Sequence, residues 1–97
     1  MDISFDPAKN ERNIETHGIS FERAAEFQWD GALHREDTRR DYGECRIRTI
    51  GLIGSRVYVL VHTPREGRVH VISLRKANKR EVRSHESQAT HEKKISN

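Results

Sequence analysis

The sequence predicts an α+β protein in which helices pack on a mostly antiparallel sheet. Two helical segments follow a short first strand, three apolar runs separated by tight-turn residues come later, and a last helical segment closes the chain. Strands and helices that are segregated along a chain in this way are typical of the α+β class. The expected order of elements is therefore β-α-α-β-β-β-α.

The length of 97 residues allows one small domain. We assign residues 1–90 to this domain. The final segment, SQATHEKKISN, shows no apolar periodicity, so we expect residues 91–97 to form a frayed C-terminal tail.

The N-terminal part contains the first strand and two helices. The alternating DISFD precedes Pro7, which suits the first turn of a helix that Gly18 then ends. Ser20 is a candidate N-cap for a second helix over SFERAAEFQW. We expect the two helices to pack through four apolar side chains: Ile14, Phe21, Ala25 and Trp29.

Residues 30–44 have no sustained apolar period and are rich in charge, so they are predicted to form a long loop. The sheet then begins with CRIRTIGLI, which passes through a Gly54-Ser55 turn of type II′ into RVYVLVHT. A three-residue loop over residues 65–67 would return the chain into RVHVISLR and set His62 opposite His70.

The two faces of this hairpin differ. One face carries valines at positions 57, 59, 61, 69 and 71, and we expect it to support the N-terminal helices. The other face is apolar in its middle and bears histidines at one end, and we expect it to meet the final helix or a partner. That second face consists of Tyr58, Leu60, His62, His70, Ile72 and Leu74.

The charge is unevenly distributed along the chain. Residues 1–33 carry three basic residues against seven acidic ones, whereas residues 34–97 carry fifteen against eight. An anionic partner such as a nucleic acid would therefore bind the later part. At helical spacing, five cations fall on one face of the last helix: Arg75, Lys76, Lys79, Arg80 and Arg83.

A single cysteine, Cys45, excludes an internal disulfide framework and is expected to be a small buried hydrophobe. No long apolar run or signal-peptide pattern is present. These observations predict a soluble cytoplasmic protein without a membrane association. The six histidines lack the spacing of a zinc site, so no metal and no cofactor are expected.

Several segments together resemble the BrnT family of toxins. The first is FDPAKNERNIETHGISFERAAEFQWD, the second runs from GECRIRTIGLI to ISLRKANKREV, and their order and spacing carry the resemblance over residues 3 to 86. Within them, the family's motifs correspond to Gly43-Glu44-Cys45-Arg46, to Ser55-Arg56, to Thr63-Pro64-Arg65 and to residues 72–81. Glycine replaces the family's usual proline after Trp29-Asp30, and His85 stands near a position where tyrosine is frequent.

The resemblance implies a RelE-like fold and a metal-independent endoribonuclease that blocks translation. It also implies neutralisation by a BrnA-like ribbon-helix-helix antitoxin, through which the pair would bind operator DNA, with a toxin dimer as a possible part of the complex. RNA cleavage of this kind uses the 2′-hydroxyl as nucleophile and needs cations at the phosphate.

Arginine and lysine side chains are therefore the first candidates for the site. The catalytic candidates are Arg75, Lys76, Glu44, Arg56 and Arg65, and the RNA-binding candidates are Arg46, Lys79, Arg80 and Arg83. We expect Arg56, Arg65 and Arg75 to share one hollow. Four histidines remain open as general acid or base: His17, His62, His70 and His85.

A second hypothesis uses the same basic surface without catalysis. In it the chain is a nucleic-acid or protein-binding module, such as a degenerate toxin that acts as a co-repressor. Cleavage of RNA in the presence of a chelator separates the two hypotheses.

Overall fold

A computed structural model describes the backbone of residues 2–96 and the side chains of residues 2–88. The elements in chain order are β1 (Ile3–Ser4), α1 (Pro7–His17), a 3₁₀ helix (Phe21–Glu26), β2 (Gln28–Glu36), β3 (Ile47–Ile53), β4 (Arg56–Arg65), β5 (Arg68–Lys76) and α2 (Lys79–Ser96). The five strands form one sheet in the order β1-β5-β4-β3-β2. Only β1 pairs in parallel, so the prediction of an α+β protein with a mostly antiparallel sheet is confirmed.

The N-terminal helix follows the local signals in the sequence. The Asp6 carboxylate accepts a hydrogen bond from the Ala8 amide at 2.9 Å, and Pro7 opens the helix. Gly18 ends it in the left-handed conformation, with φ 71°, and donates to the Ile14 carbonyl at 2.8 Å. The predicted start and end of α1 are therefore confirmed.

The second helical segment is a 3₁₀ helix rather than an α-helix. Phe21 and Ala24 are buried in the main core, but Ala25 is exposed and Ile14 is 43% exposed. The predicted packing through Ile14 and Ala25 is therefore wrong. The 3₁₀ spacing brings residues three apart onto one side, which buries Phe21, Ala24 and Phe27 instead.

The predicted long loop over residues 30–44 is wrong in its first half. Residues 28–36 form the edge strand β2, which pairs antiparallel with β3. The register shifts between Gln28 and Leu33, and Gly31 lies there with φ 76°. This irregularity interrupts the alternation that would have marked the strand in the sequence.

The two hairpin turns differ from each other. Gly54 has φ 61° between the paired Ile53 and Arg56, as the predicted two-residue turn requires. In the second hairpin Glu66 and Gly67 both have positive φ, at 54° and 73°, which is the pattern of a type I′ turn of two residues. The three-residue loop predicted there is wrong.

This shorter turn and a bulge change the register of β5. His62 lies opposite Val71 and not opposite His70, and the partner of Val61 is Ser73, so Ile72 is an extra residue on β5. Because a shift of one residue reverses the faces, the bulge brings Val71 into the same core as Leu74.

The predicted use of the two faces is also reversed. The 3₁₀ helix packs against the face of Tyr58, Leu60 and Leu74. Helix α2 lies across the opposite face, where Val82 and His85 border a cavity with Leu52 and Val57. The main core consists of Ile19, Phe21, Ala24, Phe27, Ile53, Tyr58, Leu60, Val71 and Leu74.

The last helix begins later than the charge pattern suggested. Arg75 and Lys76 belong to β5, and α2 begins at Lys79. The five cations therefore do not form one helical face, and that expectation is wrong. The predicted frayed tail, residues 91–97, lies outside the residues whose side chains are described, and its fraying stays a prediction. In the described part of the chain, no helix combines the length and apolarity that a bilayer span needs.

Candidate active site

The loop between β2 and β3 is ordered by a buried carboxylate. Asp37 accepts hydrogen bonds from the Arg39 guanidinium at 2.8 and 2.9 Å, from the Arg39 amide at 3.2 Å and from the Tyr42 hydroxyl at 3.2 Å. These hydrogen bonds, above all that from the Arg39 side chain, hold the pKa of Asp37 far below its usual range. The Asp37 amide also donates to the Arg46 carbonyl, which closes the loop.

This closed loop presents Glu44 and Arg46 next to the end of β4. The Glu44 carboxylate accepts from Arg65 Nη2 at 2.9 Å and from Arg46 Nε at 3.4 Å. The Arg65 hydrogen bond lowers the pKa of Glu44, and Arg46 adds to the effect, so Glu44 is ionised near neutral pH. The Arg46 guanidinium carbon lies 4.1 Å from the centre of the Tyr42 ring, within the range of a cation–π contact.

His70 extends this group of side chains on β5. Arg65 Nη1 lies 2.9 Å from His70 Nε2, and the Ser4 hydroxyl lies 2.9 Å from His70 Nδ1. Because a guanidinium can only donate, Nε2 accepts and the proton of the neutral ring is on Nδ1. Burial, together with the Arg65 charge, lowers the pKa of His70. His70 is therefore a neutral imidazole with its basic nitrogen facing Arg65.

We call Glu44, Arg46, Arg65 and His70 the Glu44 cluster. It combines two guanidinium groups, an ionised carboxylate and a neutral imidazole at the hairpin end of the sheet. Guanidinium groups bind phosphate oxygens in pairs, and a neutral imidazole can take a proton at neutral pH. Such a set of groups is suited to phosphodiester chemistry.

Arg75 has a different environment from the one expected. It forms two hydrogen bonds to the Glu81 carboxylate, at 2.8 and 2.9 Å, and this pairing raises the pKa of Arg75 and lowers that of Glu81. Glu81 in turn accepts from the Asn78 amide, and Asn78 Oδ1 accepts from the Glu81 amide, both at 2.8 Å. This reciprocal pair is a capping box at the start of α2.

The three arginines expected in one hollow lie far apart, so that expectation is wrong. Arg56 and Arg65 are the first and last residues of β4, about 30 Å apart at the rise of a strand. Arg75 pairs with Val59, about 20 Å from Arg65 along the same strand. The structure therefore brings Glu44, Arg46 and Arg65 together and separates Arg56 and Arg75 from them.

The remaining cationic candidates lie at and beyond the end of β5. Lys76 is exposed at the last position of the strand, and three more candidates are exposed on α2: Lys79, Arg80 and Arg83. Arg56 borders a cavity of about 530 Å³ together with His85.

His62 is part of a buried hydrogen-bonded group. The Thr49 hydroxyl lies 2.9 Å from His62 Nε2 and 3.0 Å from His34 Nδ1, and the Trp29 ring contacts both imidazoles. Burial lowers the pKa of His62 to about 4, and the neighbouring His34 contributes to this shift. With 7% of its surface exposed, His62 is a core residue.

The other single candidates are located as follows. His17 is exposed at the last position of α1, and His85 is buried against the sheet. Cys45 is exposed, so its expected burial is wrong. Within the side chains that the structure describes, no three histidine, cysteine or acidic residues are grouped as a metal site.

Two features of this region were missed from the sequence. The first is the pairing of Asp37 with Arg39 and Tyr42, which orders the loop. The second is the pairing of Arg75 with Glu81. A signal for the second was available, because Asn78 and Glu81 have the spacing of a capping box before an amphipathic helix.

A small α+β protein with arginines, a carboxylate and a neutral histidine at one end of its sheet has the kinds of group that bind phosphate and transfer protons. Comparison with protein families identifies it more closely: residues 5–81 match the model described as the ribonuclease toxin BrnT of a type II toxin-antitoxin system. The chain belongs to the BrnT family. The family implies RNA as substrate and an antitoxin as partner. Comparison with curated proteins gave no match.

Proposed function

We propose that this toxin is a metal-independent endoribonuclease whose active centre is the Glu44 cluster. The observation that carries the proposal is the position of Arg65, whose two terminal nitrogens contact Glu44 and His70. One guanidinium thereby joins an ionised carboxylate to a neutral imidazole. A phosphate that binds Arg65 and Arg46 would be adjacent to the basic nitrogen of His70.

The reaction follows from the protonation states. When RNA binds, Arg65 Nη1 moves from His70 Nε2 to the phosphate, and the freed Nε2 takes the proton of the RNA 2′-hydroxyl. The 2′-oxygen attacks the adjacent phosphorus, and the bond to the 5′-oxygen breaks. The leaving oxygen takes a proton from solvent, so the products are a 2′,3′-cyclic phosphate and a 5′-hydroxyl end. Arg65 and Arg46 stabilise the added negative charge on the phosphate, and Glu44 holds Arg65 in place.

The other cationic candidates have a binding role in this proposal. Arg75, Lys76 and Arg56 are too distant from Arg65 to contact the same phosphate, which removes them from the chemical step. Lys76, Lys79, Arg80 and Arg83 are exposed and would contact RNA on either side of the cleaved bond.

The biological setting is supported by family membership. The antitoxin is a BrnA-like ribbon-helix-helix protein, and operator DNA is bound only through it. A toxin dimer is one arrangement that such a complex allows. The toxin acts in the cytoplasm, where it inhibits translation by cutting RNA. The fold is related to RelE.

The experiment is cleavage of total RNA by the purified protein in a chelator, with analysis of the product ends. The wild type should generate 2′,3′-cyclic phosphate ends, and Glu44→Gln and His70→Gln should lose most of the activity. Arg12→Gln, an exposed change on α1, is the matched control and should keep it.

Intact RNA with the wild type, under conditions in which it binds tightly, would contradict the enzyme and favour the binding module. Full activity in the His70→Gln variant would reject the assignment of the base.

A further inference from the structure

A second group of arginines lies on the face of the sheet that α2 covers. Arg35 on β2 and Arg48 on β3 are directly opposite each other in the antiparallel pair. Directly opposed like charges destabilise a sheet, so an arginine pair at this position has an energetic cost. Neither of these guanidinium groups forms an ion pair with a described side chain.

These arginines border a cavity at the edge of α2. The cavity has a volume of about 380 Å³, within the range of ligand-binding clefts. We call it the arginine pocket, and its lining includes Leu33, Arg35, Arg48, Ile50, Arg80 and Glu81. Its floor is apolar and its rim is cationic.

The nearby carboxylates do not neutralise this rim. Glu81 lines the pocket, but its oxygens accept from Arg75 and from the Asn78 amide. Asp37 is engaged by Arg39 and Tyr42, and Glu36, in the adjoining cavity, is a single carboxylate beside the two guanidinium groups of Arg35 and Arg48. Arg48 interacts with the Glu81 charge at longer range only, and it lowers the pKa of that carboxyl. The pocket therefore keeps an excess of positive charge.

The arginine pocket shares lining residues with a second cavity that lies towards the loop carrying Glu44. A smaller cavity of about 190 Å³ shares Arg35 and Arg48 and extends to Glu36, Asp37 and Arg39, at the start of the loop that carries Glu44. Arg46 and Arg48 are two residues apart, about 7 Å along an extended chain. A row of cations thus leads from the Glu44 cluster to the pocket.

We propose that the arginine pocket is a second phosphate-binding subsite, which holds the RNA strand beside the cleaved phosphodiester. The inference rests on the proposed ribonuclease activity. A polymer with one charge per unit matches a row of spaced guanidinium groups, and the apolar floor of Leu33 and Ile50 can contact a base or ribose. An acidic segment of a protein partner is the rival occupant, and the test separates the two.

The test compares Arg35→Gln and Arg48→Gln with the Arg12→Gln control, which removes the same charge from α1, beside β5 and away from β2 and β3. The probes are a fluorescent oligouridylate blocked by 2′-O-methyl groups and a blocked uridine dinucleotide, and binding anisotropy is measured over a range of salt concentrations. Phosphate contacts do not depend on sequence, so these probes are sufficient.

Each pocket variant should weaken binding of the oligouridylate several-fold. It should also make the plot of log binding constant against log salt concentration shallower by about 0.7, the value for one phosphate of a single strand. The dinucleotide should bind all proteins alike. Thermal unfolding is a second readout: loss of one of two opposed charges should leave the Tm unchanged or higher, which excludes misfolding as the cause.

Equal binding of the oligouridylate by Arg35→Gln and Arg12→Gln would overturn the subsite. So would loss of antitoxin binding in Arg35→Gln with RNA binding unchanged, because an acidic protein segment would then be the occupant. Wild-type protein that binds the probe through Arg35 and yet never cleaves RNA would refute the proposed activity and leave the phosphate site standing.

Discussion

Asn13 on α1 binds the outer edge of β5 at Leu74, as a short strand would. Asn13 Nδ2 donates to the Leu74 carbonyl at 2.8 Å, and Asn13 Oδ1 accepts from the Leu74 amide at 3.3 Å. Strand β1 covers β5 only at Val69 and His70, so the edge beyond it lacks a strand partner. The side chain of Asn13 thereby satisfies backbone groups that would otherwise be buried without hydrogen bonds.

Replacement of Asn13 by alanine should therefore be costly although no apolar contact is lost. Buried backbone groups without partners cost about 1–3 kcal/mol, and we expect the free energy of unfolding to fall by about 2 kcal/mol. Urea denaturation measures this change. Glu11→Ala, on the exposed side of the same helix, should change stability by less than about 0.5 kcal/mol. Equal stability of the two variants would show that water satisfies the Leu74 backbone groups in place of the Asn13 side chain.

Gly51 allows the Phe27 ring to pack on the sheet. A Cβ at position 51 would lie 2.7 Å from Phe27 Cζ and 2.8 Å from Cε1. Phe27 is buried and contacts Trp29 edge to face, so its ring has little room to move. Gly51→Ala should lower the free energy of unfolding by about 1–3 kcal/mol.

A double-mutant cycle with Phe27→Leu tests the cause of this loss. In the Phe27→Leu background, Gly51→Ala should lower the free energy of unfolding clearly less than in the wild type, because the clash is with the Phe27 ring. An equal cost in both backgrounds would attribute the effect to the contact with Ala32 Cβ, 3.1 Å from the added Cβ, or to the backbone of β3.

Where one or two residues with a strong preference for a particular φ value mark the end of a helix or a turn, the sequence predicted its position correctly. Pro7, Gly18 and Gly54 mark their turns because their preferred φ values suit those positions. The register of β5 was not predictable in this way, because Glu66 adopts a positive φ that is uncommon for its residue type. Strand β2 was missed because an exposed edge strand with a bulge lacks regular alternation.

The candidate site was predictable in its residue types but only partly in its geometry. Glu44, Arg46 and Arg65 were selected from the sequence, and they do lie together. Arg56 was wrongly placed with them, because it was selected for its residue type and the length of the predicted strand RVYVLVHT, which separates it from Arg65, was not applied. Arg35 and Arg48 were overlooked, since their proximity depends on the pairing of β2 with β3.

Glu81 connects the end of β5 to the first turn of α2, and its charge should matter for stability. Glu81→Gln keeps the shape of the side chain but removes the charge that pairs with Arg75. Hydrogen bonds to charged groups contribute about 1.5–3 kcal/mol; Arg75 is partly exposed, so we expect a loss of about 1–2 kcal/mol. Thermal or urea unfolding measures the loss. Glu86→Gln, an exposed change on α2, should have almost no effect, and equal losses would mean that the ion pair is not the cause.

His62 should make the protein less stable in mild acid. Its pKa is about 4 in the folded protein, against 6.5 for an ordinary histidine, so below 6.5 the unfolded chain binds a proton that the folded chain does not. Stability therefore falls as pH drops from 6.5 towards 4. The expected loss between about pH 7 and about pH 5 is about 2 kcal/mol.

Urea unfolding at several pH values tests this expectation. His62→Gln should remove most of the pH dependence in that window, and the smaller contribution of His70, whose pKa burial also lowers, should remain. An undiminished pH dependence in His62→Gln would show that another group causes it.

The pH dependence of cleavage provides the sharpest test of His70 as the general base. Its pKa lies below 6.5 because of burial and the Arg65 charge, whereas the Glu44 charge acts in the opposite direction. A base must be unprotonated, so the rate should be constant above that pKa and fall about tenfold per pH unit below it.

We call the part of the pH–rate profile in which the rate falls with falling pH the acid limb. Replacing the two neighbours, Arg65 and Glu44, should move this limb in opposite directions. Arg65→Gln removes a cation, which raises the pKa of His70 and moves the limb to higher pH, while Glu44→Gln removes an anion and moves it to lower pH. Both variants should also be slower than the wild type, because each loses a group of the Glu44 cluster. Single-turnover rates of RNA cleavage across the acidic range measure the limb. Because a merely structural role of Arg65 and Glu44 would lower the rate without displacing the limb, identical limbs in all three proteins would exclude His70 as the base.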